Sequence, residues 1–193
     1  MRYHELLTEV DINSTEFKQW FHGSKVIDLK TKAPLICYHG TTTSHEIQPG
    51  GEQHFGTFKA ANDRILDKLG ISEFSGINTV PMTLQDNGDL KNTWDAMHIY
   101  PVYLSIKTPI ILEDQGEWFD PDVINQLFEQ GLIDQKTVER FENAEDHRTW
   151  VDVCKELGYD GAVYENQWED AGSTSWYPFS DHQVWNIFSN KPY

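Results

Sequence analysis

The chain has 193 residues, with 31 acidic side chains against 15 basic ones and a formal charge of −16. One domain of ordinary size is expected, spanning 1–193 with 1–25 as an N-terminal helical extension, and seven Trp, eight Tyr and ten Phe give it the means to bury a core. Such a charge repels phosphate backbones, which disfavours ordinary nucleic-acid binding and leaves basic protein surfaces, or imitation of DNA, as the partners it suits.

No run of about 18 apolar residues exists, so no bilayer span is expected. Met1 to Leu7 has no apolar signal core, which makes a cytoplasm the expected location. Cys37 and Cys154 give neither a disulfide framework nor a zinc spacing and read as buried, inert thiols.

In chain order, Ser14 can cap a helix whose Phe17, Trp20 and Phe21 form one apolar stripe, ended by Gly23-Ser24. Val26-Ile27 suggests a short strand, and a turn through Pro34 leads into the strand Leu35-Ile36-Cys37-Tyr38. A polar loop is expected from Thr41 to Gly56, then a helix from Phe58 to Leu69, then a weakly patterned stretch from Gly70 to Met97. Ile99 to Leu112 alternates as strands interrupted at Pro109, and Asp120 to Gly158 carries helical spacing throughout. Ala162-Val163-Tyr164, Trp176-Tyr177-Pro178-Phe179 and Val184 to Phe188 read as strands, with a loop from Gln167 to Thr174. Pro178 cannot donate to a ladder, so its strand is expected at an edge or a bulge.

Three blocks stand out: Tyr38-His39-Gly40-Thr41, His54-Phe55-Gly56-Thr57 and Gly158-Tyr159-Asp160-Gly161. A strand-end glycine lets a ligand reach backbone amide and carbonyl groups, a neutral imidazole can bond a sugar hydroxyl, and Phe55 can stack on a flat heterocycle. The bland alternatives are a satisfied turn for His39 and a core position for Phe55. His39, His45 and His54 with Glu46 and Glu52 match none of the usual zinc spacings, so no metal is expected. No Gly-x-Ser-x-Gly elbow supports serine hydrolysis either.

Together with Ser24-Lys25-Val26, Pro34-Leu35 and Val102-Tyr103-Leu104, these blocks resemble the ADP-ribosyltransferase-like domains of phage and mobile-element proteins, relatives of diphtheria toxin and the poly(ADP-ribose) polymerases. The resemblance covers roughly Glu16 to Phe188. It implies an α+β fold of two small, mostly antiparallel sheets with helices around them and NAD, as co-substrate, in the cleft between. In its terms His39 binds the NAD ribose, the backbone of Gly40 holds the nicotinamide carboxamide, and Tyr38, Thr41, His54, Phe55 and Gly56 complete the cofactor site. The family's catalytic Glu falls on Ser175, so a carboxylate from the neighbouring loop, among Glu165, Glu169 and Asp170, is expected to act with His39 in its place. The implied activity is transfer of one ADP-ribose unit to a host macromolecule, a protein before a nucleic acid. The alternatives are a catalytically inactive binding module of the same fold and an acidic DNA mimic.

Overall fold

The computed structural model describes residues 9–42, 53–68, 82–84, 90–92, 98–143, 147–189 and 191–193. It is an α+β fold with two three-stranded sheets and five helices among those residues. The helix expected near the N-terminus is α1 (Thr15–Phe21), capped as its sequence requires by the Ser14 hydroxyl, which accepts the Phe17 amide at 3.1 Å.

The first sheet has β4 (His98–Leu104) at its centre, with β1 (Cys37–Thr41) and β8 (Val184–Asn186) antiparallel on either side. Two-residue periodicity splits β4 between two cores. Val102 and Leu104 point to a layer with Val26, Cys37, Phe55, Trp176 and Val184, whereas Tyr103 points the other way. There α1 lays Phe17 edge-on to Tyr103, with ring centroids 5.0 Å apart, and beside Trp185. The N-terminal helix therefore covers one face of this sheet.

The second sheet runs β5 (Pro109–Ile111), β6 (Gly161–Glu165), β7 (Thr174–Pro178). β5 and β6 are parallel, which demands a long crossover. That crossover is α3 (Asp120–Glu129), α4 (Gln135–Glu142) and α5 (Trp150–Glu156), the helical block legible in the sequence. Val123, Ile124, Leu127, Val153 and Cys154 bury this layer against Ile110, Ala162 and Tyr177. Pro109 opens β5 instead of interrupting a strand, because the first position of a strand tolerates its missing amide.

The two sheets meet along one short seam. Tyr38 and Gly56 exchange both backbone hydrogen bonds (2.9 and 3.0 Å), and Phe55 and Trp176 do the same (2.9 and 2.8 Å). Residues 55 and 56 thus pair with β1 on one side and β7 on the other. The block His54-Phe55-Gly56-Thr57, expected at a strand end, is the joint between the sheets. From it the chain enters α2 (Phe58–Lys68), which packs over β1.

Gly158-Tyr159-Asp160-Gly161 is architectural. Gly158 takes φ +92° just past α5, the left-handed conformation that ends helices. Asp160 accepts the amides of Lys107 (2.9 Å) and Thr108 (2.7 Å), aligning β5 with β6. The Val26-Ile27 strand reduces to a single bridge between Ile27 and Pro34. Of the expected loop, 43–52 lies outside the described residues, as does most of the weakly patterned stretch 70–97, apart from β2 (Met82–Leu84) and β3 (Leu90–Asn92), which pair antiparallel. No helix among the described residues is long and apolar enough to cross a membrane.

Candidate functional site

A cleft of about 610 Å³, counting the space open to solvent, lies at the seam. Its wall brings together residues far apart in sequence: Tyr38, His39 and Gly40 from β1, His54 and Gly56 from the seam, and Ser175 from β7. Glu169 from the loop between β6 and β7 also faces it. Seven of the positions singled out by sequence therefore share one concavity.

Four others do not. Phe55 is wholly enclosed in the layer between the sheets, the core reading of that residue. Its burial follows from the seam, where alternation sends Phe55 inward and its neighbours His54 and Gly56 toward the cleft. Thr41 ends β1 and is not part of the cleft wall. Asp170 is likewise outside the wall; its carboxylate accepts the Thr57 hydroxyl at 2.6 Å and pairs with Lys59 at 3.3 Å. Thr57 in turn accepts the Ala60 amide at 3.0 Å. Asp170 thus braces the start of α2, and its backbone holds φ +49° to do so. Glu165 is exposed at the end of β6 and is also absent from the wall. His45, Glu46 and Glu52 lie outside the described residues, and no group of metal-ligating side chains occurs among those described.

Gly40 owes its identity to packing. A methyl group there would overlap the backbone carbonyl of Ala61, so α2 sits against β1 only because position 40 has no side chain. Gly56 is similar, since a methyl on it would overlap the Ser175 hydroxyl. These glycines bring helix, seam and β7 close enough to form a narrow cleft.

The two imidazoles are fixed by their neighbours. His39 Nδ1 lies 3.0 Å from the His54 carbonyl oxygen. A carbonyl only accepts, so Nδ1 carries the proton and Nε2 is left as an acceptor. Burial lowers the His39 pKa, the hydrogen bond to His54 opposes that, and the charges of Lys68 and Arg64 lower it further. His54 Nδ1 lies 2.7 Å from the Tyr164 hydroxyl, with Trp118, Tyr164 and Tyr177 around its ring. Burial first, then Arg64, pushes its pKa down to about 3, so it is neutral.

The buried Ser175 occupies the position the resemblance gives to Glu. Its hydroxyl accepts from the Asn166 amide at 2.8 Å, and Asn166 reaches Ser173 at 2.8 Å as well. The phenol of Tyr164, on the same wall, is held well above its ordinary pKa, chiefly by burial. Asn166 thus donates to Ser175, and Tyr164 is hydrogen-bonded to His54 Nδ1.

The carboxylate that faces the cleft from the expected loop is Glu169. Burial raises its pKa, with Arg64, 3.3 Å away, pulling in the opposite direction. Asp114 contributes a second acid to the wall, but both its oxygens are engaged, accepting the amides of Gly116 (3.0 Å) and Gln167 (2.8 Å) and tying the two rim loops together.

Sequence reasoning missed Arg64, Lys68, Asp114, Trp118, Tyr164 and Asn166 as wall residues. Arg64 and Lys68 were findable: they stand four apart on the helix that follows the seam block, hence on one face. Tyr164 and Asn166 share the two-residue period at the end of β6, a signal too short to read without its partners.

No family model matches the chain, and no curated protein or solved structure matches it significantly.

Proposed function

We propose that the protein is an ADP-ribosyltransferase that moves one ADP-ribose unit from NAD to a host macromolecule, a protein first among them, as the resemblance to phage and mobile-element domains implies. The observation that carries this reading is the convergence of His39, Gly40, His54, Ser175 and Glu169, chosen from separate stretches of sequence, on one cleft. His39 Nε2 is the acceptor for a ribose hydroxyl and Gly40 offers backbone groups to the carboxamide. His54, neutral and bonded through Nδ1 to Tyr164, adds a polar ring to the wall, and Tyr164 and Tyr177 both meet that ring edge-to-face. Glu169 takes the electrostatic role: as the bond from ribose C1′ to nicotinamide breaks, the electron pair leaves with nicotinamide and the carboxylate balances the positive sugar carbon. The acceptor's nucleophile then bonds to C1′ and gives up its proton; water in its place yields free ADP-ribose.

The test is incubation of the protein with NAD and a bacterial lysate, following nicotinamide release by chromatography and added mass by spectrometry. Release that disappears in His39→Ala, with folding unchanged, is the expected result. No binding of NAD by calorimetry would overturn the reading. Binding without turnover would select the inactive-module alternative, which is favoured by Ser175 standing where the resemblance places an acid and by the ion pair of Glu169 with Arg64.

A further inference from the structure

Two of the fifteen basic side chains in a chain of charge −16 are spent on the wall of this cleft. Arg64 and Lys68 lie on consecutive turns of α2, on the face that looks onto the imidazoles of β1 and the seam. Both side chains line the cleft, Arg64 half-buried and Lys68 exposed. Across the same cleft, Arg64 holds a partly buried carboxylate, that of Glu169, at 3.3 Å. A guanidinium that already pairs with an oxyanion inside a concavity, with an ammonium one turn away, has the chemistry to hold a phosphate pair: the planar fork binds oxyanions in a bidentate way and the lysine adds a point charge.

We propose that Arg64 and Lys68 form a diphosphate subsite, and that Arg64 gives up Glu169 when a diphosphate occupies it. This rests on the dinucleotide reading for the choice of ligand, though the subsite can be measured without it. The exchange has a consequence for the chemistry. Paired with Arg64, the Glu169 carboxylate is neutralised; with Arg64 turned to phosphate, the carboxylate is released toward the sugar carbon. A substrate fragment lacking the diphosphate leaves the carboxylate tied, so the phosphates report that a complete dinucleotide has arrived. Glu169 is then a competitor of the phosphates for one guanidinium, and removing its charge strengthens phosphate binding.

Calorimetry on the full chain with two probes, inorganic pyrophosphate and ADP-ribose, tests this. Wild-type protein is expected to bind both, R64Q/K68Q to lose at least about tenfold in affinity for each, the scale of a charge-assisted contact, and E169Q to gain a few-fold. Unchanged thermal unfolding, and partial recovery in R64K, show that a loss is not one of folding. Equal affinity of wild type and R64Q/K68Q for both probes overturns the subsite, and weaker binding in E169Q overturns the exchange. If pyrophosphate binds in an Arg64-dependent way while ADP-ribose does not bind, the subsite stands and the dinucleotide reading falls. If ADP-ribose binds equally to wild type and R64Q/K68Q, the reading stands and the subsite falls. Binding of neither probe to wild type overturns the subsite.

Discussion

His39 donates from Nδ1 to the backbone carbonyl of His54 at 3.0 Å. That bond ties the two sequence blocks together and leaves an acceptor nitrogen on His39, while Tyr164 holds the His54 ring through Nδ1. The cleft therefore offers the acceptor nitrogen of a neutral imidazole, suited to a ligand hydroxyl.

Acid should destabilise the fold through these rings before it titrates the carboxylates. The folded pKa of His54 is pushed down to about 3 and that of His39 is lowered from 6.5. The unfolded chain then binds more protons than the folded one below the ordinary histidine value, so stability is lost as pH falls from 6.5 toward 3. Each ring contributes a slope of at most about 1.4 kcal/mol per pH unit. Unfolding by urea between pH 7 and pH 4.5 is expected to show this decline, and His54→Gln is expected to flatten it; an equal slope in the variant would mean the ring is not the cause.

Gly40→Ala is expected to destabilise the fold by roughly 1–3 kcal/mol or more, the scale of overpacking a rigid contact. The new methyl meets the backbone of Ala61 rather than a side chain that can swing away. Helix α2 must lift from β1, and with it Arg64 and Lys68. Urea unfolding measures the loss; a variant as stable as wild type would show that the helix sits farther from the strand.

Asp170→Ala separates bracing from catalysis. Its carboxylate holds Thr57 and Lys59, at a backbone φ of +49°, so the variant is expected to lose about 1 kcal/mol in stability, the scale of a cap interaction. The rate of nicotinamide release is expected to stay within a few-fold of wild type once folded protein is counted. A loss as deep as that of His39→Ala, with stability intact, would return Asp170 to the chemistry.

Much of the architecture was legible because it follows from local periodicity. Ser14 and its aromatic stripe, the three helices of the crossover and the alternating β4 all announce themselves within a dozen residues. The seam was not legible, since two residues pairing with strands on both sides leave no pattern along the chain. For the same reason His54 read as a strand-end aromatic and Phe55 as a ligand contact. Their roles depend on which face each presents, and that is set by Tyr38 and Trp176 across the gaps. Asp170 and Glu169 are adjacent and chemically alike, and only the loop's conformation sends one to Thr57 and the other to the cleft.

Glu169→Gln gives the sharpest test of the assigned acid. If the carboxylate balances charge on the sugar carbon, the variant binds NAD yet releases nicotinamide slower by about 100-fold or more, the range for removing one such electrostatic contact. Wild-type activity should then need the ionised carboxylate. Burial raises the Glu169 pKa above 4.5, so the rate is expected to fall on the acid side at a pH above the ordinary glutamate value. Arg64 pulls the other way, favouring the charged form. Replacing it in Arg64→Gln must therefore raise the Glu169 pKa again in the free enzyme and move the acid limb of the kcat/KM profile, which reports that state, to still higher pH. A limb that stays put in Arg64→Gln, or shifts toward acid, would mean that another group governs it, and the carboxylate facing the cleft would lose its assigned part.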